Sequence, residues 1–572
     1  MTTFVEKWLM GPVPHDRGLH SGDDPANLKF RAWSQVRLAA RTVAAGLAAT
    51  GVGHGGRVAI LADDPGDVAD LVQATWTRGA AFTMLHQPTP RANLHAWLDD
   101  TRAVIAMLGA DVLVVGGIFA DALAGTDVGT TIVSVDELTR LGRAGEGADI
   151  VPVPLVADDV AILQLTSGST GIPKAVVISF GNLEANHYAM AEAIDLTDVD
   201  VSISWLPLFH DMGMVGLLLL PMLSGITAVI TTPRAFLVKP QVWAELIDRF
   251  RGTCTAAPNF AYALLAKRLR RADDGAYDLS SLRVAINGAE PIDESSMFSL
   301  LAEGTRFGLR SEALLPCYGM AETTLAVSFD SLSTRFDVDT IDAGLAETTG
   351  EIRLAPATVE RAAAGAGAEG SAGGPDAGTK VQTHVRLGQP VPGIEVAVLH
   401  EGQALPANRI GTLMVRGAAV TARYLKETGF EYAVNADGWL DTGDLGYITE
   451  TGEVVVTGRA KDVIIVSGRN IAPAVIERAA CTVDGVRPGN AAAVPHPRPD
   501  GREGIAVIAE TEGAADPEAS QRIHDEISRA VFDAVGVPVS AVTLIGKGEL
   551  PKTTSGKIRR HCAADLVTVG GA

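Results

Sequence analysis

Between Phe30 and Thr50 apolar residues recur at helical spacing, at Trp33, Val36, Ala40, Val43 and Leu47, and the run stops at Gly51. Such positions share one face of an amphipathic helix. Beyond it the pattern alternates. Val58–Leu61 and Val112–Val115 are short apolar runs of strand length, while Val68–Gly79 and Leu94–Asp100 carry the helical period. Strands and helices in turn predict an α/β architecture. Val160–Leu165 reads as a further buried strand, Asn182–Ile194 as a helix, and Ala313–Pro316 as a short apolar run. Near the end, Ile523, Ile527, Ala530, Val531 and Ala534 fall on one face of a predicted helix.

Two stretches depart from these periods. Met212–Pro233 carries no charged residue and has the length of a membrane span. Pro221, Ser224 and Gly225 interrupt it, so it reads as a buried helix, a turn at Leu223–Gly225 and a strand at Ile226–Thr231, with no transmembrane segment. Ala362–Gly378 is nearly all Ala, Gly, Ser and Glu. It can bury little apolar surface and reads as a flexible loop inside a loosely patterned insertion, about 333–386.

With 572 residues, 47% of them hydrophobic, the chain is long enough for several subdomains. A net charge of −21 argues against nucleic acid as a partner. Cys254, Cys317, Cys481 and Cys562 are far apart, show no metal-ligand spacing, and read as reduced thiols of a cytoplasmic protein. The N-terminal stretch lacks a basic n-region, and Glu6 and Lys7 interrupt its apolar residues, so no signal peptide is expected.

Candidate chemistry concentrates in TSGSTGIPK, Thr166–Lys174, directly after the Val160–Leu165 run. Gly168 and Gly171 permit tight turning and close approach of the backbone to a ligand. Thr166, Ser167, Ser169 and Thr170 supply hydroxyls and Lys174 a mobile positive charge, and backbone N–H groups in such a turn converge on an anion. A phosphate cradle at a strand end is the expected result. It is not a Walker A loop, because Pro173 interrupts the required G-x-x-x-x-G-K-[ST] order. GVGHGG, Gly51–Gly56, matches G-x-G-x-x-G but precedes a strand instead of following one, and reads as a plain turn.

TSGSTGIPK resembles the phosphate loop of the adenylate-forming ligases, which include acyl-CoA synthetases, peptide-synthetase adenylation domains and fatty-acyl-AMP ligases. SWLPLFHDMG (Ser204–Gly213), APNFAY (Ala257–Tyr262) and NGAEP (Asn287–Pro291) resemble the fatty-acyl-AMP ligases in particular. CYGMAET (Cys317–Thr323), GQPVPG (Gly388–Gly393), DTGDLGY (Asp441–Tyr447), GRAKD (Gly458–Asp462) and PKTTSGKIRR (Pro551–Arg560) continue the family's order of motifs. The resemblance runs from about residue 160 to 330 and again from 388 to 560. It implies that Tyr318 stacks on adenine, with Cys317, Gly319, Met320, Ala321 and the loop Gly288, Ala289, Glu290 around the nucleotide. It implies Mg²⁺ held by Glu322 with Thr170, ribose bound by Asp444 with Arg459 nearby, a hinge at Lys461, and Lys557 as the catalytic lysine of adenylation. His210 joins Glu322 and Lys557 as a candidate catalytic residue. Trp205, Phe209, Met214, Asn259 and Phe260 are the candidates for the acyl pocket, where an apolar wall meets a polar rim.

The implied fold is α/β: a large N-terminal adenylation domain of mixed β-sheets flanked by helices, about 1–458, and a small mobile α+β C-terminal domain, about 459–572. The implied reaction joins a fatty acid to ATP as acyl-adenylate, releasing pyrophosphate. Acyl transfer to the phosphopantetheine thiol of an acyl carrier protein follows. Two alternatives are an acyl-CoA synthetase and a catalytically silent paralogue that binds nucleotide or acyl chains. In the family the insertion near 333–386 accompanies poor use of coenzyme A.

Overall fold

A computed structural model describes residues 4–88, 93–123, 125–144, 150–166, 174–354, 380–466, 468–496, 503–512, 516–552 and 558–567. The contacts divide the chain into two units. The first comprises residues 1–336, 389–395 and 415–440, and the second 337–388, 396–414 and 441–572.

Two large sheets build the first unit. The nine-stranded sheet runs in the order Gln389–Pro390, Ala326–Phe329, Leu314–Gly319, Val284–Asn287, Cys254–Ala257, Val201–Ser204, Thr227–Ile230, Gly18–Ser21, Lys29–Ala32. From Leu314–Gly319 to Gly18–Ser21 all neighbours are parallel. The eight-stranded sheet runs Gly429–Tyr432, Arg423–Lys426, Lys174–Ser179, Val160–Thr166, Ala81–Met84, Arg57–Leu61, Val112–Val115, Thr131–Ser134. Parallel strands covered on both faces need continuous apolar runs, which is why Val112–Val115 and Val58–Leu61 read as such and are buried.

The helical run read over Phe30–Thr50 is a helix from Trp33 to Ala49, with Phe30 in strand Lys29–Ala32, and Trp33 Nε1 donates to the Ile226 carbonyl at 2.8 Å, tying it to the sheet. The uncharged stretch resolves much as its interruptions suggest. Met212–Leu219 is a π-helix, Leu220–Ser224 an α-helix, Gly225 a left-handed cap and Thr227–Ile230 a strand. No described helix is long and apolar enough to cross a membrane.

In the second unit, helices Pro473–Cys481 and Pro517–Val535 pack on a sheet of Val486–Pro495, Ile505–Thr511 and Ala541–Ile545. Ile476, Ile505, Val507, Ile523, Ile527 and Val531 form its core. A hairpin of Val338–Asp342 and Val381–Val385 frames the helix Ala343–Thr349. This insertion is bolted to the residues that follow 459. Gln382 Nε2 donates to Glu347 Oε1 at 3.1 Å, and Arg469 Nε donates to Glu347 Oε2 at 2.9 Å. Arg469 Nη2 also reaches the Val535 carbonyl at 2.8 Å, and Lys380 Nζ the Phe532 carbonyl at 3.1 Å. Both carbonyls end the Pro517–Val535 helix, where a cation is favourable. Ala362–Gly378, read as a flexible loop, lies outside the described residues.

Helix Pro65–Thr77 starts with Asp64 as its cap, whose Oδ1 accepts from the Gly66 and Asp67 amides. It also carries a buried acid, Asp70, and a half-buried one, Asp67. Burial pushes Asp70 up to about 7, although Arg31 Nη1 donates to its Oδ2 at 2.7 Å. Burial, with Asp64 beside it, pushes Asp67 up to about 6. Folded pKa values above the unfolded one mean that the folded state binds these protons more tightly. Stability from these two groups therefore rises as pH falls from about 8 to about 5. His187 and His384, pushed down to about 4 by burial, act in the opposite sense, so the informative quantity is a difference between variants. Asp70→Asn is expected to flatten the rise by on the order of 1 kcal/mol or more. Urea unfolding at pH 8 and pH 5.5 measures it. An unchanged slope would mean that Asp70 titrates normally.

Candidate active site

Four motif loops leave the same edge of the nine-stranded sheet. SWLPLFHDMG follows strand Val201–Ser204, APNFAY follows Cys254–Ala257, NGAEP begins at the end of Val284–Asn287, and CYGMAET begins within Leu314–Gly319. The register Ala257↔Asn287↔Pro316 sets three of these exits level. Carboxyl ends of parallel strands are where open α/β sheets bind ligands.

Local chemistry keeps the loops close. A Cβ on Gly288 would meet Cys317 Sγ at 2.4 Å, so NGAEP can lie against CYGMAET only with glycine there. Ala289 and Thr324 each hold φ +68°, a conformation costly for non-glycine residues and concentrated at functional sites. Glu290 Oε1 accepts from the Phe260 amide at 2.7 Å, and Asn287 Nδ2 donates to Asn259 Oδ1 at 3.2 Å. Cys317 is pushed up to about 12 by burial, so its thiol stays neutral and is no nucleophile. Tyr318 is buried, with its hydroxyl 3.8 Å from Met320 Sδ. Tyr318 lies in a strand and Glu322 in the single-turn helix Ala321–Thr323, so the two do not share a helical face.

Glu322 is the centre of the site. Its carboxylate is buried, and Tyr424 Oη donates to Oε1 at 2.9 Å. Lys174 Nζ lies 3.7 Å from the same oxygen and 3.8 Å from the centroid of the Tyr424 ring. The backbone fixes this trio. Thr421 N donates to the Glu322 carbonyl at 2.8 Å, and the Arg423–Lys426 strand pairs with Lys174–Ser179 in the register Tyr424↔Val176. Lys174 itself pairs with Thr166 in the antiparallel register of the two strands. Ser167, Gly168, Ser169, Thr170 and Gly171 lie outside the described residues. Thr166 Oγ1 is buried with no partner among the described residues, an arrangement that calls for a ligand or loop donor.

The donor set fits Mg²⁺. No group of three or more His, Cys, Asp or Glu among the described residues is arranged to hold a metal alone. Mg²⁺ is ordinarily bound by one or two carboxylates together with substrate phosphates, and Glu322 would supply such a carboxylate.

The acyl candidates form an apolar wall at the same edge. Trp205 stacks on Phe236 with centroids 3.7 Å apart and meets Trp243 and Phe260 edge-on. Phe209 packs on His86, and its carbonyl accepts from Gln164 Nε2 at 3.1 Å. Met214 is fully buried in the π-helix, a geometry frequent at functional sites. Asn259 is buried, whereas Phe260 is 39% exposed and forms the rim. His210 Nδ1 lies 2.6 Å from Asp211 Oδ1, which also caps the π-helix through the Met212 amide.

In the second unit, the Asp441–Tyr447 motif, whose Thr-Gly-Asp reads as a turn presenting Asp444, instead lies within strand Leu440–Ile448. Gly443 does take φ +70°, yet strand pairing continues past it and sets Asp444 opposite Arg459. Arg459 Nε is 3.0 Å from Asp444 Oδ1. Lys461 lies in the single turn Ala460–Asp462. Lys557 lies outside the described residues. Arg560, three positions on, binds Glu477 through two N–H groups at 2.9 and 2.8 Å and Asp462 at 2.8 Å.

Tyr424 is the site residue that sequence reading missed. It lies 102 residues from Glu322, and only strand register brings it there. Its sole sequence signal is an aromatic in a short strand-like run, TARYLK.

Comparison with known proteins agrees with this geometry. The model of the AMP-binding enzyme family matches residues 23–425. A Mycobacterium tuberculosis protein named as a ligase is 44% identical, covering 99% of this chain and all of its own length. A medium-chain-fatty-acid–[acyl-carrier-protein] ligase of Moorena producens is 34% identical over 71% of this chain and 67% of its own. A solved structure from studies of fatty acyl-adenylate ligases of E. coli and L. pneumophila aligns with TM-score 0.84 and 26% identity, covering 99% of this chain and 97% of that one. The matched range and the coverage of these relatives show the family: the chain belongs to the AMP-binding enzymes, the acid-activating, adenylate-forming ligases, and resembles their fatty-acyl-AMP ligases.

Proposed function

We propose that the protein activates a fatty acid with ATP and passes the acyl group to the phosphopantetheine thiol of an acyl carrier protein. The observation that carries this reading is the Lys174 ammonium 3.7 Å from the buried Glu322 carboxylate, with CYGMAET and the apolar residues from Trp205 to Leu220 both following carboxyl ends of strands in the nine-stranded sheet. The carboxylate attacks the α-phosphate of ATP, forming the acyl–phosphate bond as the bond to pyrophosphate breaks. Negative charge develops on phosphate oxygens. Lys174, the loop Thr166–Gly171 and Lys557 are proposed to stabilise it, with Mg²⁺ on Glu322, since such transfers are catalysed mainly by positioning and electrostatics. Tyr318 and the loop Gly288–Glu290 would flank the adenine, and Asp444 with Arg459 would hold the ribose. His210 is proposed to contact the reacting carboxylate. Residues 459–572 are proposed to move as a domain about Lys461 between the two half-reactions.

Rejection of coenzyme A is proposed to rest on the insertion. Glu347 and Lys380 tie it to Arg469 and to the end of the Pro517–Val535 helix. Such ties oppose a swing of the small domain. The deciding assay supplies ATP, Mg²⁺, labelled fatty acid and either coenzyme A or holo carrier protein. Acyl-adenylate that persists with coenzyme A and is consumed by the carrier supports the proposal. Efficient acyl-CoA formation by the intact protein would overturn it in favour of an acyl-CoA synthetase.

Three variants extend the test. Lys557→Ala is expected to slow adenylate formation about 100- to 1000-fold while circular dichroism stays unchanged, and near-normal pyrophosphate release would remove Lys557 from the chemistry. Glu322→Gln should raise the Mg²⁺ requirement, because an amide is a poorer ligand for a hard dication. Activity independent of added Mg²⁺ at the wild-type level would make Glu322 a structural residue. Glu347→Gln removes the charge that Arg469 grips. It should raise acyl-CoA yield several-fold if the insertion restrains the small domain, and an unchanged yield would shift the cause of rejection to the thiol pocket.

A further inference from the structure

Glu322 is nearly enclosed, yet two different donors approach one of its oxygens. Tyr424 Oη donates to Oε1 at 2.9 Å, and Lys174 Nζ stands 3.7 Å from that same atom. An ammonium beside a buried carboxylate ordinarily closes to a direct hydrogen bond below about 3 Å. Here it stays outside that range because it rests over the Tyr424 ring, 3.8 Å from the centroid. One side chain therefore performs two tasks. Its hydroxyl satisfies one carboxylate oxygen, and its π face supports the cation that would otherwise saturate the carboxylate.

We propose that Tyr424 is a positioning residue for the metal–nucleotide site, directing Glu322 Oε2 toward a divalent cation and keeping Lys174 available to a phosphate. The proposal rests on the reading of Glu322 as the Mg²⁺ ligand. Without the hydroxyl, the carboxylate is free to rotate and pair with Lys174. The incoming cation must then break that pair. Without the ring, Lys174 loses its support and closes directly onto Glu322, so both metal and phosphate binding are opposed by one ion pair.

Tyr424→Phe separates the tasks, because it keeps the ring and deletes the hydroxyl, while Tyr424→Leu deletes both. Fatty-acid-dependent pyrophosphate–ATP exchange is measured against free Mg²⁺ at saturating ATP, and against MgATP at saturating Mg²⁺. Tyr424→Phe is expected to raise half-saturating Mg²⁺ about 3- to 10-fold, the loss of one hydrogen bond, with kcat at saturation near wild type. Tyr424→Leu is expected to raise both half-saturating Mg²⁺ and the KM for MgATP. A purely structural tyrosine would instead lower the melting temperature or kcat and leave half-saturating Mg²⁺ where it was. That outcome in a folded Tyr424→Phe protein overturns the proposal. Glu322→Gln is measured alongside. If it leaves the Mg²⁺ curve unmoved, the metal reading falls and this proposal with it. If it shifts the curve and neither Tyr424 variant does, only the role of Tyr424 is refuted.

Discussion

A buried carboxylate needs compensation, and the way Glu322 receives it organises the first unit. Desolvating a charge is costly unless hydrogen bonds and an opposite charge replace the lost water. Glu322 leaves the nine-stranded sheet through CYGMAET, whereas Lys174 and Tyr424 come from neighbouring strands of the eight-stranded sheet. The compensation therefore spans both sheets, and Thr324 Oγ1 and Thr421 Oγ1 reinforce it by donating to the Ala419 and Val177 carbonyls. The same charges that stabilise this junction are those proposed to bind metal and phosphate. Site and scaffold thus constrain one another.

The proposed acyl side follows a different logic. It depends on shape: Trp205 wedged between Phe236 and Trp243, a π-helix that carries Met214 inside, and Phe260 at the rim. Buried polar atoms stand in that wall. Trp205 Nε1 and Asn287 Oδ1 have no partner among the described residues. Polar groups placed sparsely in an apolar wall are the usual means by which pockets orient a substrate.

What the sequence disclosed follows the range of the interactions involved. The helix from Trp33 was legible because its period is local, and the break after Met212 because Pro221 and Gly225 act on their own backbone. The motif loops were legible by resemblance, and their common edge follows from parallel pairing of the strands before them. Asp444 was misplaced because Thr-Gly-Asp looks like a turn, while pairing with Arg459 is decided by a strand fifteen residues on. Tyr424 was invisible because its partners are set by sheet register. The bolts of the insertion, Glu347 to Arg469 and Lys380 to Phe532, likewise join positions more than a hundred residues apart.

Fatty-acid-dependent exchange of labelled pyrophosphate into ATP tests the central claim most directly, since it reports adenylate formation and needs no acceptor. Exchange that requires Mg²⁺ and appears only when a fatty acid is supplied is the result this account predicts. Absence of exchange across short, medium and long chains, with ATP binding retained, would contradict it and leave a protein that binds nucleotide without activating an acyl group.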